Sequence, residues 1–278
     1  GQFRYSVDRL CEALKPVLDS GVNSVLLFGV LDDREKDEQG TGAYAEDGVV
    51  QQAVRTLRHA YHHLTIMTDV CLCAYTSHGH CGPLHAGGDV DNDAANALLA
   101  KVALSHAAAG ADVVAPSAMM DGQVAAIRGA LDTEQYNDTI LMSYSSKFAS
   151  SMYGPFREAE KSSPQHGDRQ GYEASYADLR SALRESQEDE AEGADILMVK
   201  PALLYLDIIT RVREMTDLPV AAYNVSGEYA MLHATADRGW GDLYPMARES
   251  IAALGRAGTD IFISYWANQY REVLGGRC

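Results

Sequence analysis

Seven short runs, each apolar on both faces and set apart by segments of helical periodicity, constrain this chain more than any other feature of it. They run from Ser24 to Val30, Leu64 to Val70, Asp112 to Ser117, Thr139 to Tyr144, Ile196 to Lys200, Val220 to Val225 and Asp260 to Tyr265. A strand with no polar face needs cover on both sides, which is the situation of a parallel sheet flanked by helices. The intervening segments supply that cover. Val7, Leu10, Leu14 and Leu18 form one stripe, Ala97, Val102, Ala103 and Leu104 lie in a second helical run, and Ile208, Val212 and Met215 mark a third. Glycine, a small residue and aspartate precede a strand three times, at Gly110-Ala111-Asp112, Gly193-Ala194-Asp195 and Gly258-Thr259-Asp260. Glycine there suits the left-handed residue that stops a helix and turns the chain back toward a sheet. Repeated βα units predict an α/β fold of the TIM-type (β/α)8 barrel class, with a doubly wound open sheet as the alternative. A barrel places its chemistry at the C-terminal ends of its strands.

No Pro/Gly/Ser linker divides the 278 residues, so residues 1–278 are expected to form a single barrel domain, and 46% hydrophobic content can fill its core. The net charge of −16 opposes phosphate backbones and anionic lipid headgroups, which argues against nucleic acid and membrane partners. No apolar run reaches the roughly 18 to 20 residues of a membrane span, and no signal segment opens the chain. A cytoplasmic location is expected. The acidic stretches from Asp32 to Glu38 and from Glu185 to Glu192 read as solvated surface. Lysine is scarce beside arginine, and with the acidic excess this matches the composition of proteins adapted to high salt.

That scarcity makes two lysines conspicuous. Lys147 follows the fourth run and Lys200 closes the fifth. Burial disfavours the ammonium form, a neighbouring cation disfavours it further, and the free amine is a nucleophile toward ketones. A single such lysine reads more readily as one that snorkels to solvent or pairs with a carboxylate; two in one barrel favour chemistry. Cysteines gather after the second run, where Asp69-Val70-Cys71-Leu72-Cys73 leads to Cys81 in a C-x-C-x7-C spacing. Residues i and i+2 of an extended segment share a side, so Cys71 and Cys73 are predicted to converge, with the loop through Gly79 and Gly82 returning Cys81. Three thiolates leave a tetrahedral zinc ion one open position, with His78, His80 and His85 as supporting or alternative ligands. A disulfide is the competing reading, and it leaves an odd cysteine. Cys11 and Cys278 read as unrelated to the cluster. Arg157 and Arg169 sit in a long irregular stretch after the fourth run, suited to holding a carboxylate. Ser226 opens a helix after the sixth run, where it could receive a second carboxylate, and Tyr265 ends the seventh.

Taken together these segments resemble the porphobilinogen synthase (5-aminolevulinate dehydratase) family. The resemblance rests on residues 69–81 around the cysteines, on Met142-Ser143-Tyr144-Ser145 with Lys147-Phe148-Ala149-Ser150 and Tyr153-Gly154-Pro155-Phe156-Arg157, on Met198-Val199-Lys200-Pro201, on Tyr205-Leu206-Asp207-Ile208 and on residues 223–231. It spans essentially the whole chain. It implies a zinc-dependent lyase that condenses two 5-aminolevulinate molecules into porphobilinogen, with loss of two waters, in tetrapyrrole (haem) biosynthesis. By position, Lys200 resembles the lysine of the substrate supplying the propionate side and Lys147 that of the acetate side. Cys71, Cys73 and Cys81 match the zinc site, with Asp69 beside it. Arg157 and Arg169 match the acetate-side carboxylate clamp, and Ser226 with Tyr265 the propionate-side clamp. Ser117, Tyr153, Phe156 and Tyr223 match pocket residues. A homo-oligomer, an octamer in the family, is implied.

Departures accompany the likeness. Where the family usually reads Ser-Asp-Met-Met-Asp-Gly-Arg, this chain reads Ser117-Ala118-Met119-Met120-Asp121-Gly122-Gln123, without a pocket-edge carboxylate. Glu185 falls where some members hold an allosteric magnesium ion, but Gln123 replaces the arginine near that site. Glu173 stands for the usual glutamine after Tyr172, bringing a negative charge toward the acetate-side clamp unless it pairs with Arg169. The chain opens at Gly1, past the family's N-terminal arm and first barrel strand, so both are expected to be absent from it and the natural protein is expected to be longer. A class I aldolase would use similar lysines without needing three cysteines. A non-catalytic zinc-binding homologue or an incomplete chain would bind metal without turnover.

Overall fold

The computed structural model describes residues 2–165 and 167–275; Gly1 and Cys278 lie outside them. All seven expected strands are present: β1 (Ser24–Leu27), β2 (Thr65–Val70), β3 (Val113–Pro116), β4 (Ile140–Lys147), β5 (Ile196–Lys200), β6 (Val220–Asn224) and β7 (Ile261–Ser264). They pair in sequence order, every pairing parallel. Helices α1 (Val7–Asp19), α2 (Val49–Ala60), α3 (Asn92–Ala109), α4 (Gln123–Thr133), α5 (Gly154–Glu160), α6 (Leu179–Ala191), α7 (Leu206–Met215), α8 (Ser226–Asp237), α9 (Leu243–Ala257) and α10 (Tyr270–Leu274) complete the alternation. The result is a nearly closed parallel barrel of the (β/α)n type, which rules out the open doubly wound sheet. Among the described residues β1 and β7 are not paired to each other, and both are only partly buried, unlike the strands between them.

Strand alternation accounts for the two apolar faces. Met67, Val113, Ala115, Met142, Tyr144, Ile196, Met198, Ala221 and Tyr223 meet inside the barrel. Their neighbours Val114, Leu141, Leu197, Val199, Val220 and Ala222 pack outward against Leu99, Ile127, Ile209 and Val212 of the helices.

The repeated Gly-x-Asp has a clear physical role. Gly110, Gly193 and Gly258 adopt φ of 104°, 102° and 111°, where a side chain would be strained. The following aspartates then hold the neighbouring strand: Asp112 Oδ2 accepts from Ile66 N at 2.7 Å, Asp195 Oδ2 from Leu141 N at 2.8 Å and Asp260 Oδ2 from Val220 N at 2.9 Å. An arginine faces each carboxylate, namely Arg58, Arg128 and Arg213. One tripeptide therefore ends a helix and fixes the register of the next pair of strands.

Two expectations need correction. The stretch after β4 is partly helical, with a 3-10 turn over Ser151–Tyr153 followed by α5. The acidic run on α6 is not all solvated surface, because Asp189 turns under the helix and accepts a hydrogen bond from Ser143 Oγ at 2.7 Å. Burial raises Asp189 to about 6, against the pull of Ser143.

Candidate active site

Counting along the strands shows which side chains enter the barrel. The inward parity of Met67, Ala115, Met198, Tyr223 and Ile263 carries Asp69, Ser117, Lys200 and Tyr265 to the same end of the barrel. Lys147 breaks the count. By the parity of Met142 and Tyr144 it would point outward, but the β4–β5 register runs Ser143↔Leu197 and then Ser146↔Val199, one extra residue on β4. This bulge turns Ser146 outward, where its hydroxyl donates to Ala182 O at 2.8 Å, and turns Lys147 inward, directly opposite Lys200. Lys147 thus belongs to the strand, not to the segment after it.

The two amines have different surroundings. Lys200 Nζ lies over the rings of Tyr223, Tyr144, Tyr153 and Phe156, at 4.5, 5.0, 5.2 and 5.2 Å. Burial, then the nearby Lys147 charge, lowers Lys200 to about 8. Lys147 Nζ donates to Ser117 O at 2.6 Å and pairs with Glu173 Oε1 at 3.1 Å. Burial opposes its charge, but Glu173 and then Cys81 outweigh that, so the ammonium is held above the ordinary lysine range. One lysine is poised as an amine and the other is held as a cation.

Glu173 also faces Arg157 Nη2, at 3.7 Å from Oε2, and its side chain is fully buried. The Glu173–Arg169 pairing that the sequence left open does not form among the described residues. Arg169 is buried, its Nη2 donating to Ser162 O at 2.5 Å and Gly79 O at 3.1 Å while its Nε has no hydrogen-bond partner among the described residues. The two arginines sit on one cavity wall, though only Arg157 is partly open to solvent.

Cys71, Cys73 and Cys81 are buried and unbridged, which disposes of the disulfide. Their sulfur atoms lie within 4.8 Å of one another, with Cys71 Sγ to Cys73 Sγ at 3.4 Å. Tetrahedral zinc with Zn–S bonds of about 2.3 Å requires sulfurs ~3.8 Å apart, so the donor set and its spacing fit that ion. Convergence arises differently from the expected extended segment: β2 ends at Val70, and Cys73 sits in a turn closed by Tyr75 N and Thr76 N donating to Leu72 O, each at 2.8 Å. Hydrogen bonds from Cys71 and Cys73, with Arg169 and Lys147 behind them and burial opposing, pull the Cys81 thiol well below its usual range. No histidine joins the group among the described residues. His80 Nδ1 lies 3.2 Å from Tyr172 Oη, His78 accepts from His80 N, and His85 turns out to pair with Asp91. Cys11 packs under α1, away from the cluster.

The remaining positions also cluster here. Phe156, Tyr153, Ser117, Asp69, Cys73 and both lysines line one cavity. Tyr223 and Tyr265 pack with ring centroids 6.5 Å apart on its flank. Ser226 Oγ accepts from Phe156 N at 3.1 Å, which ties α8 to α5. That approach needs Gly227, where a Cβ would stand 2.5 Å from Met152 O. Glu185 is half-buried on α6, where burial, then Glu188 and Asp121, raises it to about 7. It belongs to no converging group of metal ligands among the described residues. Three pocket residues escaped the sequence reading: Phe28 and Tyr144, hidden in apolar runs, and Glu160, hidden in a charged segment.

A family profile described as delta-aminolevulinic acid dehydratase matches residues 1–273. The chain belongs to the delta-aminolevulinic acid dehydratase family. Delta-aminolevulinic acid dehydratases of Methanothermobacter thermautotrophicus and Synechococcus elongatus are 52% and 50% identical to it, over 99% and 96% of this chain and 82% of theirs. Among solved structures, delta-aminolevulinic acid dehydratase (porphobilinogen synthase) from Toxoplasma gondii ME49, in complex with the reaction product porphobilinogen, superposes with a TM-score of 0.95 at 40% identity, over 97% of this chain and 77% of that one. A 2,3-dimethylmalate lyase at 10% identity and TM-score 0.53 shares the fold alone. Membership in the dehydratase family favours the condensing enzyme over a class I aldolase. No helix among the described residues is long and apolar enough to cross a membrane.

Proposed function

We propose that this chain is a porphobilinogen synthase, a hydro-lyase that condenses two 5-aminolevulinate molecules to porphobilinogen and two waters for tetrapyrrole synthesis. The observation that carries the reading is the paired placement of Lys147 and Lys200 at adjacent strand ends beside three converging cysteines. Residues 1–278 act as one barrel domain, supported by the single seven-stranded sheet. Substrate and further copies of this chain are its partners, the latter supported by large apolar side chains left in solvent, such as Phe3, Tyr176 and Trp240. The acidic surface and the lack of a spanning helix among the described residues are consistent with a cytoplasmic enzyme.

Lys200 reacts first because it alone is close to the free-amine state. Its amine adds to the ketone of one 5-aminolevulinate, water leaves, and an imine forms within the aromatic wall. The propionate-side carboxylate lies toward Ser226 and Tyr265, and the acetate-side carboxylate toward Arg157 and Arg169. Lys147 takes the second ketone once its proton has passed on. Asp69, whose carboxyl burial raises despite the opposing pull of Lys200, stands within the cavity to accept and return protons. Cys71, Cys73 and Cys81 would hold zinc, which supplies a Lewis-acidic open position for a substrate oxygen or amine. The carbon next to the second ketone gives up a proton and bonds to the Lys200 imine carbon, Lys200 leaves by elimination as the ring double bond forms, and the amine of the first substrate displaces Lys147, so both lysines are regenerated. Glu185 is the remaining candidate for magnesium, supported only by its acidic surroundings.

Incubation with 5-aminolevulinate tests the reading: one porphobilinogen should accumulate for every two substrates consumed, and no product from the zinc-loaded enzyme would refute it. Glu173 should set the pH at which the second lysine enters. Replacing the anion by Glu173→Gln leaves burial, the largest influence, with Arg169 favouring the amine against Cys81 and Cys71, so the balance moves toward the amine. The alkaline rise of the pH–rate profile should then move about one unit or more toward neutrality. The KM should fall as Arg157 becomes free to hold substrate; an unmoved profile would show that Glu173 does not control Lys147.

A further inference from the structure

Glu160 ends α5 and is only 5% exposed, yet its side chain lines the same cavity as Lys200, Asp69 and Phe156. Two other buried carboxylates in this part of the barrel are compensated, whereas Asp69, like Glu160, has no ion pair among the described residues. Glu173 has Lys147 and Arg157, while Glu228 accepts from Leu203 N at 2.7 Å and from Val225 N and Asn224 Nδ2 at 2.9 Å. Glu160 makes no ion pair among the described residues, with the Ser162 hydroxyl beside it and Lys200 and Arg169 acting only from a distance. A buried carboxylate without a counter-charge is costly, and the cost falls when a cation enters the cavity.

The proposed substrate brings that cation. Each 5-aminolevulinate carries a carboxylate, a ketone and an ammonium group, and two bind. The arginines and the Ser226–Tyr265 pair account for the carboxylates, and the two lysines for the ketones. Two ammonium groups remain, and the cavity offers few anions to meet them. Resting on the proposed function, we propose that Glu160 recognises the protonated amino group of one bound 5-aminolevulinate and then accepts its proton, leaving the free amine directed at the imine carbon. Burial, then Asp69, raises Glu160 to about 7, so it holds a proton part of the time in the free enzyme. An arriving ammonium ionises it and gains a full counter-charge.

Levulinic acid separates this role from a structural one, because it keeps the carboxylate and ketone and lacks the amine. The zinc-loaded enzyme and its Glu160→Gln variant are compared by the concentration dependence of borohydride trapping of 5-aminolevulinate and of levulinic acid at Lys200. The variant should need about tenfold or more 5-aminolevulinate for half-trapping, the worth of one charge-assisted hydrogen bond, with levulinic acid changed less than about twofold. Parallel loss of both ligands, or loss of neither, would overturn the proposal. If Glu160→Gln does not fold, Glu160→Asp keeps the charge one methylene short and should weaken 5-aminolevulinate alone by a few-fold; equal effects on both ligands would again overturn it. Absence of trapping in the unaltered enzyme would instead fault the lysine assignment.

Discussion

A Lys200→Met enzyme should form no porphobilinogen above background, a loss of about 10⁴-fold or more, while keeping its fold and its metal content. Methionine retains an unbranched apolar stem among Tyr144, Tyr153, Phe156 and Tyr223, so the aromatic wall stays filled and only the amine is lost. The same surroundings dictate the pH dependence of the parent enzyme. Lys200 is lowered from 10.5 to about 8, burial first and Lys147 next, so the ammonium dominates below that value and the amine above it. First-imine formation should rise about tenfold per unit as pH climbs toward 8 and then level off. Borohydride reduction in the presence of 5-aminolevulinate, followed by peptide mapping, should place an adduct on Lys200 in the parent and none at that position in the variant. An unlabelled Lys200 in an active parent would sink the mechanism. A pH profile flat from 6 to 9 would show that this amine is not limiting.

Residue pattern singled out Lys200, Tyr265 and the cysteines, the family resemblance added Asp69 and Ser117, and what both missed shares a cause. Asp69, Ser117, Lys200 and Tyr265 follow from strand parity, because apolar neighbours two residues away must face the barrel interior. Lys147 did not follow from it. Its inward turn depends on one extra residue between Ser143 and Ser146, and small polar residues leave no periodic trace of such a bulge. The cysteines were legible by type and spacing, but the turn bringing Cys73 round is set by two hydrogen bonds to Leu72 O that no pattern announces. Glu160 and Asp189 show the opposite failure. Asp189 lies in a run of charges that reads as solvated surface yet is half-buried against Ser143, and Glu160, among the charges between Arg157 and Lys161, is buried by tertiary packing. Charge in a sequence reports the cost of burial, not whether something on the far side of the helix offsets that cost.

Removing one sulfur should separate the metal from the lysines. In a Cys81→Ser variant the donor set drops to two thiolates and a hydroxyl, a far weaker ligand for zinc, and bound zinc should fall from about one ion per chain to below roughly a tenth after dialysis. Cys81 is the informative choice because it is the thiol most readily ionised, and it is supported by Arg169 and Lys147. Three thiolates around a divalent ion leave a net negative charge in a buried site, and those two cations balance it. Serine keeps the volume but neither the softness nor the easy ionisation. Turnover should disappear in Cys81→Ser and in chelator-treated parent, with zinc restoring only the latter. Cobalt loading supplies a readout independent of activity: the parent should develop a thiolate-to-cobalt charge-transfer band, and the variant should lose most of it. Lys200→Met should show the band at full strength, since that lysine touches the aromatic wall and not the sulfurs. A variant that kept its zinc would mean that Cys71 and Cys73 hold the ion with some other partner. Activity unchanged after verified removal of metal would mean that the lysines and carboxylates carry the condensation by themselves.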